Sequence, residues 1–503
     1  MKDDSEDAAK SSSAHWLVLA VLPVIVGLAL RVWEAWESSL WLDELHTLFH
    51  ASRPTVDGVL QSVRNDFHVP GFYVFCHFFG DFSTGAWLRW IPIVSTLAAL
   101  VPLIALARES RGGERAAIAV AWLYALLPYQ VHYGAELRPY AWLELFTAVA
   151  AWAAFSERRS KKLRGFVFFA SVVLGMFTHV IMAFAVVGIG AARLFVRGPK
   201  RLGLPVLIGI GAAAVAPVLP WFLWFHEFST KQRETFVEQV GESRLRPQLV
   251  REVRDLPIRL VEPYMGSLGS PWSWLAMLGF ACFVLVCGAL AWFAWRARRE
   301  RTEPRKDPLL TAALIYGAVQ FAIITALSIR SWDRVPLQYY IGMSWVIPFA
   351  LAAWLASVRG DGVRRALGYA LGATTLVMSI ALAGGESREP YRDAVAVARE
   401  WGRSLSAAFP EHPPVYTSVL AQPSGVFDHK LPFLAYGADL GAVEPEEVPT
   451  PTSGDFQRPV IVIRRALALD HPKWKTITEG RKIVREQRLH DRVWLYVFAP
   501  SDP

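Results

Sequence analysis

The chain has 503 residues, of which 53% are hydrophobic and 19% are charged. This share of apolar residues, with a mean hydropathy of +0.29, excludes an ordinary soluble domain. The formal net charge is +8, but the basic residues are concentrated in short loops between apolar runs. That pattern is typical of membrane topology, so no nucleic-acid partner is expected. The three cysteines lie in apolar runs without metal-ligand spacing, so no disulfide framework is expected.

The first membrane element follows a polar tail. Residues 1–15 predict a cytoplasmic N-terminal tail, and the apolar run from residue 16 to about 32 has the length of a membrane span. A carboxylate pair, Asp43 and Glu44, comes where this span ends. Because carboxylates at the edge of the hydrocarbon lose hydration, they are seldom kept there without a role. Both residues are therefore candidate catalytic groups.

Three interpretations of this pair stay open. A partly dehydrated carboxylate can act as a general base. Alternatively, Asp43 can bind a divalent metal ion that polarises a phosphate. The structural alternative is a helix start, where the dipole favours Asp and Glu without any chemistry. Adjacent helical residues point about 100° apart, so the two carboxylates are not expected to share one proton.

The next apolar segment is too short for a full crossing. Residues 66–81 would also break the parity of the crossings, so they predict a juxtamembrane or re-entrant helix with Pro70 near its first turn. His68, near the start of this segment, is a candidate substrate-binding residue. A lone histidine at the end of a span is more often structural, which is the alternative here.

Five short basic loops define the predicted topology, because the positive-inside rule places such loops in the cytoplasm. Consecutive basic loops require an even number of crossings, which gives about eleven spans within residues 16–384. The stretch 165–196 is too long for one span and predicts two short ones that turn near Thr178 and His179. The basic loops are 108–115, 157–164, 193–201, 296–306 and 359–365.

This topology predicts that polar groups from distant parts of the sequence lie on one face of the membrane. That face is the extracytoplasmic one, and the convergence favours a functional site there. The groups are Asp43, Glu44, His68, Glu136, Arg138, His179 and the loop 331–340.

A second polar cluster, Glu136-Leu137-Arg138-Pro139-Tyr140, precedes the apolar run of a later span. Pro139 fits the first position of a helix, which leaves Arg138 at the cap. The positive end of the helix and the guanidinium together favour an anion such as a phosphate. Glu136 would orient the arginine or a bound hydroxyl. The structural alternative is a snorkelling arginine paired with a glutamate.

The external loop 331–340 contains Arg334, and Tyr339 and Tyr340 follow it directly before the next apolar run. These residues are candidates for binding a diphosphate or a carbohydrate hydroxyl. A charged loop without a ligand is the alternative.

From about residue 385 the composition changes to that of a soluble protein. Residues 391–409 have helical apolar spacing, and residues 415–419, 460–463 and 493–498 are rich in β-branched and aromatic residues, which predicts strands. Residues 385–503 therefore predict a small extracytoplasmic α/β domain after a transmembrane domain of residues 16–384.

The ordered set of motifs resembles GT-C-fold glycosyltransferases that use polyprenyl-phosphate sugars, of the protein O-mannosyltransferase and aminoarabinose-transferase type. The resemblance covers about residues 15–384. Val69-Pro70-Gly71 departs from the family's Pro-Pro-Leu, and the tyrosines near Arg334 are displaced from the arginine. The matching elements are the acidic Trp41–Glu44, His68 with its following proline, Glu136–Tyr140 as Glu-x-Arg-x-Tyr, Thr178-His179 as Thr-His, and Arg334–Tyr340 as the late Arg-Tyr segment.

The resemblance implies a polytopic α-helical membrane protein with a GT-C-like fold, in a bacterial-type inner membrane, with its active site on the extracytoplasmic face. The implied reaction is inverting transfer of a hexosyl or pentosyl group from a polyprenyl phosphate to a lipid, glycan or protein acceptor. Asp43 is implied as the base or as a metal-linked centre, and a divalent metal is the one cofactor considered. The implied substrate-binding residues are His68, Glu136, Arg138, Tyr140, His179, Arg334 and Tyr339.

Two functions of other classes are also compatible with a polytopic protein. A transporter or flippase of lipid-linked sugars would use ionisable groups in the middle of spans and inverted repeats. A noncatalytic partner of a cell-envelope polysaccharide machine would not need the carboxylates or Arg138. An enzyme of the same fold that polymerises or ligates glycans would differ only in its acceptor.

Overall fold

A computed structural model of the protein shows a mostly helical chain. The chain forms two compact units, one from Met1–Glu37 and Trp90–Glu386, and the other from Ser38–Arg89 and Ser387–Pro503. The residues that the structure describes are 21–64, 68–79, 85–196, 198, 200–221, 223, 273–299, 307–332, 340–358, 360–383, 391–419, 431–449, 451, 453, 457–465, 474, 477–490 and 493–500.

The helices are numbered in chain order. They are α1 (21–37), α2 (Leu42–Ala51), α3 (Val56–Arg64), α4 (Gly71–His77), α5 (Trp90–Glu109), α6 (Gly113–Leu126), α7 (Pro128–Gly134), α8 (Tyr140–Phe155), α9 (Lys161–Thr178), α10 (Met182–Phe195), α11 (Leu204–Val215), α12 (Ser273–Arg299), α13 (Pro308–Trp332), α14 (Ile341–Ser344), α15 (Val346–Ser357), α16 (Asp361–Ala383), α17 (Tyr391–Ala408) and α18 (Leu431–Tyr436).

The described residues contain helices that can cross a membrane, so the chain is a polytopic membrane protein. Five are long and apolar enough for a crossing, and three apolar helices are shorter. The total of about eleven crossings stays a prediction. The five are Trp87–Glu109, Leu204–Trp221, Trp274–Phe293, Pro308–Ala326 and Asp361–Ala383, and the shorter ones are Tyr140–Phe155, Met182–Phe195 and Gly342–Ser357.

The predicted helix pair within residues 165–196 is present. Helix α9 ends at Thr178 and α10 begins at Met182, so the chain reverses at His179–Ile181. Two local predictions differ from the structure. The apolar run 116–133, counted as one of the two crossings between the basic loops 108–115 and 157–164, is not one helix, because Leu127 is extended before Pro128 and a new helix begins there. Helix α8 begins at Tyr140, one residue later than predicted.

Small residues explain the close packing of helices in the first unit. Helix α8 carries alanines that are fully buried, and it packs against α5 and α9. Because the solvent for this surface is lipid, the helices gain from close van der Waals contact more than from hydrophobic burial, and alanine lets the backbones approach. The buried alanines of α8 are Ala148, Ala150, Ala151, Ala153 and Ala154.

The second unit contains a four-stranded sheet in the order β1-β2-β4-β3. The first two strands are parallel, and the other two pairings are antiparallel. The three strands predicted from the sequence are present. The strand Arg481–His490 was not predicted, because it is a largely exposed edge strand with many charged side chains. The strands are β1 (Val415–Val419), β2 (Val460–Arg465), β3 (Arg481–His490) and β4 (Val493–Pro500).

Residues 38–89 pack with the C-terminal residues of the same unit. The Leu40 N–H donates to the hydroxyl of Tyr436 over 2.5 Å, and the Arg392 N–H donates to Ser39 Oγ over 3.3 Å. Burial raises the pKa of Tyr436 to about 12, an effect that the nearby positive charge of Arg89 partly offsets. The tyrosine is therefore held neutral as the acceptor for the Leu40 amide.

This burial predicts a loss of stability at high pH. Tyr436 ionises near pH 10 in the unfolded chain but only near 12 in the folded one, so its contribution is complete below pH 10 and falls as pH rises to 12. We expect the protein to lose about 3 kcal/mol over this range relative to Tyr436→Phe, which cannot ionise. Thermal unfolding of both forms in detergent from pH 8 to 12 measures the difference. Parallel pH profiles would contradict it.

Candidate functional site

The carboxylate pair lies in the first turn of α2, in the second unit. Asp43 is partly exposed, whereas Glu44 is fully buried. Trp41 is the N-cap, and its N–H donates to Glu44 Oε2 over 3.1 Å. The predicted helix start is therefore observed, and it gives the two neighbouring carboxylates very different environments.

Glu44 forms a buried, two-pronged ion pair with Arg89. Arg89 Nε donates to Glu44 Oε1 over 2.7 Å, and Nη2 donates to Oε2 over 2.5 Å. Arg89 also donates to the carbonyl oxygens of Ser38 and Ser39, at 2.7 and 2.8 Å. Both side chains are at most 1% exposed. Both oxygens of Glu44 therefore bind Arg89, and Arg89 connects the start of α2 to the backbone of Ser38 and Ser39. The sequence analysis did not identify Arg89 as a partner of Glu44.

His68 precedes α4 and belongs to an aromatic group around Tyr73. The Tyr73 ring is buried, with its centroid 5.6 Å from that of His68 and 5.2 Å from that of His50. His50 Nδ1 lies 2.8 Å from Ser62 Oγ. The segment 71–77 is a short helix, as predicted for a non-spanning element.

The sequence raised the possibility of a divalent metal at Asp43. Within the described ranges, no three His, Cys, Asp or Glu residues are grouped as a metal ion would need. His46 and His50, one turn apart on α2, have ring centroids 6.1 Å apart. The described residues therefore provide no cluster of three such ligands at Asp43.

The second predicted cluster lies in the first unit, between α7 and α8. Glu136 and Arg138 are 1% and 3% exposed, and the Arg138 N–H donates to the carbonyl of Glu136 over 2.7 Å. The Arg138 guanidinium carbon is 5.8 Å from the ring centroid of Tyr140, the first residue of α8. A buried guanidinium at a helix start is suited to binding an anion.

His179 joins this cluster from the turn between α9 and α10. Its ring centroid is 5.8 Å from that of Tyr140, and the Ile181 N–H donates to its Nδ1 over 3.3 Å. Since Nδ1 accepts this bond, the neutral ring carries its proton on Nε2. The structure thus brings together Arg138, Tyr140 and His179. The predicted residues Arg334 and Tyr339 lie outside the described ranges.

A layer of buried polar side chains lies among helices of the first unit; we call Arg31, Gln130, Glu144 and Ser344 the polar layer. Gln130 Nε2 donates to Ser344 Oγ, and Ser344 Oγ donates to Glu144 Oε1, both over 2.7 Å. Arg31 Nη1 donates to two backbone carbonyls at 2.9 Å. Ionisable groups inside apolar runs are the sequence signal from which this layer could have been predicted.

Next to the polar layer, α7 ends at Gly134 in a space with no room for a side chain. A Cβ there would lie 2.8 Å from Arg31 Nε and 2.8 Å from Thr96 Oγ1. The glycine therefore lets α7 approach Arg31, two residues before Glu136.

We expect Gly134→Ala to destabilise the protein by about 1–3 kcal/mol, because the added methyl group overpacks a filled interior. Gly190→Ala is the matched control, since nothing lies within 4 Å of a Cβ at this helical position. Ala has the higher helix propensity, so the control should gain up to about 1 kcal/mol. Thermal unfolding in detergent distinguishes the two. Equal midpoints for the two variants would show that the contact at Gly134 relaxes without cost.

No family model matches the sequence, and no curated protein matches it. The chain is similar to two crystal structures of ArnT from Cupriavidus metallidurans, an apo form at 14% identity and a form bound to undecaprenyl phosphate at 15%. Each similarity covers 97% of this chain and 98% of ArnT, with a TM-score of 0.50. A weaker similarity, with a TM-score of 0.42, is to the Archaeoglobus fulgidus oligosaccharyltransferase AglB at 14% identity, over 83% of this chain and 61% of AglB.

The similarity to ArnT extends over nearly all of both chains, so it describes the whole fold and not one motif. ArnT is an aminoarabinose transferase of the GT-C fold. The fold that the motifs predicted is therefore confirmed: this chain has the GT-C fold of ArnT.

Proposed function

We propose that this protein is a membrane glycosyltransferase that moves a sugar from a polyprenyl-phosphate donor to an acceptor, with inversion at the anomeric carbon. The observation that carries the proposal is the ArnT fold over 97% of the chain. One of the ArnT structures holds undecaprenyl phosphate, which supports a donor of the same lipid class. We place the protein in the inner membrane, with its active site on the extracytoplasmic face.

The proposed step needs one base and one group that stabilises an anion. A hydroxyl or amine of the acceptor attacks the anomeric carbon, and the bond from that carbon to the phosphate oxygen breaks. The lipid phosphate leaves with the bonding electrons, and the base takes the proton of the nucleophile. Because a phosphate is a stable leaving group, no second carboxylate is required as a general acid, unlike in most glycosidases.

We assign the role of base to Asp43 and a positioning role to Glu44. Both oxygens of Glu44 already accept hydrogen bonds from Arg89, and protonating Glu44 would break a buried ion pair. Asp43 is partly exposed at the same helix start, where an acceptor can reach it.

We assign binding of the donor phosphate to Arg138, which is always charged and presents several donors. His179, with its proton on Nε2, would donate a further hydrogen bond, and the Tyr140 ring centroid lies 5.8 Å from both the Arg138 guanidinium carbon and the His179 ring centroid. Glu136 would orient the segment. By the motif resemblance, His68, Arg334 and Tyr339 would also contact the substrates.

Transfer by the purified full-length protein in liposomes tests the proposal. The probes are radiolabelled hexosyl and pentosyl undecaprenyl phosphates, with membrane extract as the source of acceptor. We expect a labelled product and release of undecaprenyl phosphate in equal amounts. Movement of the intact donor across the bilayer, without release of the lipid phosphate, would instead identify a flippase.

A further inference from the structure

A groove and a basic pocket join at one end of the first unit. The groove, about 470 Å³, lies between α5 and α8 and has an apolar lining that includes Pro102, Ala105 and Trp152. The pocket, about 690 Å³, is lined by charged side chains, including Lys200 and Arg201. The two cavities share Arg108, Glu109 and Arg158 in their walls, so the mostly apolar groove adjoins the charged pocket.

The charges of the pocket are unbalanced. Glu109 Oε1 accepts from Ser156 Oγ over 2.6 Å and Oε2 accepts from the Glu157 N–H over 2.7 Å, and its ion-pair contact with Arg158 is a long one, at 4.0 Å. Glu157 pairs with the buried Arg201 over 3.2 Å. The pocket is therefore lined by two carboxylates and four cations, Arg108, Arg158, Lys200 and Arg201.

Three of the cations around the two cavities are accessible to a ligand. Arg158 is 60% exposed and lies 4.0 Å from Glu109, at the outer limit of an ion pair, and Lys200 is also exposed. Arg159 is exposed beside the groove. These side chains leave an excess of positive charge at the mouth of an apolar groove. A ligand that fits must carry a negative head on a hydrocarbon chain.

We propose that this place binds an anionic glycerophospholipid of the cytoplasmic leaflet, with one acyl chain in the groove and its phosphate in the pocket. The loops that supply the cations are among those that the charge pattern predicts to be cytoplasmic, which is where anionic lipids meet basic pockets between helices. A scattered basic loop would attract such lipids only diffusely. The groove between α5 and α8 adds a binding site for one acyl chain, so a single lipid is retained at this place.

Native mass spectrometry of the full-length protein tests this, with phosphatidylglycerol and phosphatidylcholine of identical acyl chains offered at equal concentration. The wild type should retain phosphatidylglycerol at least about tenfold better, and Arg158→Gln with Lys200→Gln should lose about thirtyfold in affinity for it. Lys161→Gln with Lys162→Gln is the matched control. Both lysines are exposed in the first turn of α9, close in sequence to Arg158, and line neither cavity.

A second variant tests the groove separately. Ala105→Trp fills it without changing any charge, so it should also reduce the retention of phosphatidylglycerol. Equal retention of the two lipids by the wild type would overturn the proposal, as would equal losses in the pocket and control variants. Unchanged binding of phosphatidylglycerol by Ala105→Trp would overturn the placement of the acyl chain in the groove. Lipid retention is measured without turnover, so these outcomes are independent of the glycosyltransferase proposal.

Discussion

Asp43→Asn is expected to lower sugar transfer by about 100-fold to 10,000-fold, the usual contribution of a positioned general base. The amide has the size of the carboxylate but cannot take a proton from the acceptor. Asp43 is partly exposed in the first turn of α2, so the substitution should leave the fold intact. The measurement is the initial rate of release of undecaprenyl phosphate, normalised to folded protein by size-exclusion chromatography.

Asp57→Asn is the matched control for this experiment, because Asp57 is an exposed carboxylate in the first turn of α3. It should transfer sugar at the wild-type rate. If Asp43→Asn keeps full activity while it is normally folded, Asp43 is not the base. Loss of activity in both variants would show that the negative charge of this region matters and not one proton acceptor.

Glu44→Gln is expected to have its main effect on stability, with a loss of about 3–5 kcal/mol. The amide nitrogen of Gln would face the donors of Arg89 and leave a buried guanidinium without its counter-charge. Arg89→Met should cost a similar amount, because it also leaves the carbonyl oxygens of Ser38 and Ser39 without this donor. Thermal and denaturant unfolding in detergent measure both effects.

Two comparisons distinguish the contribution of the Glu44–Arg89 pair to stability from a general effect of removing a charge. In a double-mutant cycle, the second substitution should cost much less than it does alone, since the pair is already broken. Glu114→Gln is the matched surface control, because Glu114 pairs with Arg108 over 3.3 Å while 58% exposed. It should change stability by less than about 1 kcal/mol. Additive losses in the cycle would show that Glu44 and Arg89 act independently.

The sequence alone was sufficient for features that depend on local patterns. The long apolar runs predicted helices, and the reversal at His179 followed from the length of the run 165–196. The strand Val415–Val419 followed from its β-branched and aromatic residues. These signals are local. Helix and strand periodicity, and the length of an apolar run that can cross a bilayer, are read from residues close together in the sequence.

The tertiary structure decided which polar groups are partners. Asp43 and Glu44 have the same chemistry in the sequence, and only Arg89, 45 positions away, distinguishes them by binding Glu44. The strand Arg481–His490 has no apolar alternation that would predict it. It pairs with β4 through backbone hydrogen bonds at an edge of the sheet, and these do not require apolar side chains. The polar layer likewise joins residues up to 214 positions apart. Ion pairs, edge strands and buried hydrogen bonds depend on which segments meet in space, and a pattern along the chain carries little information about that.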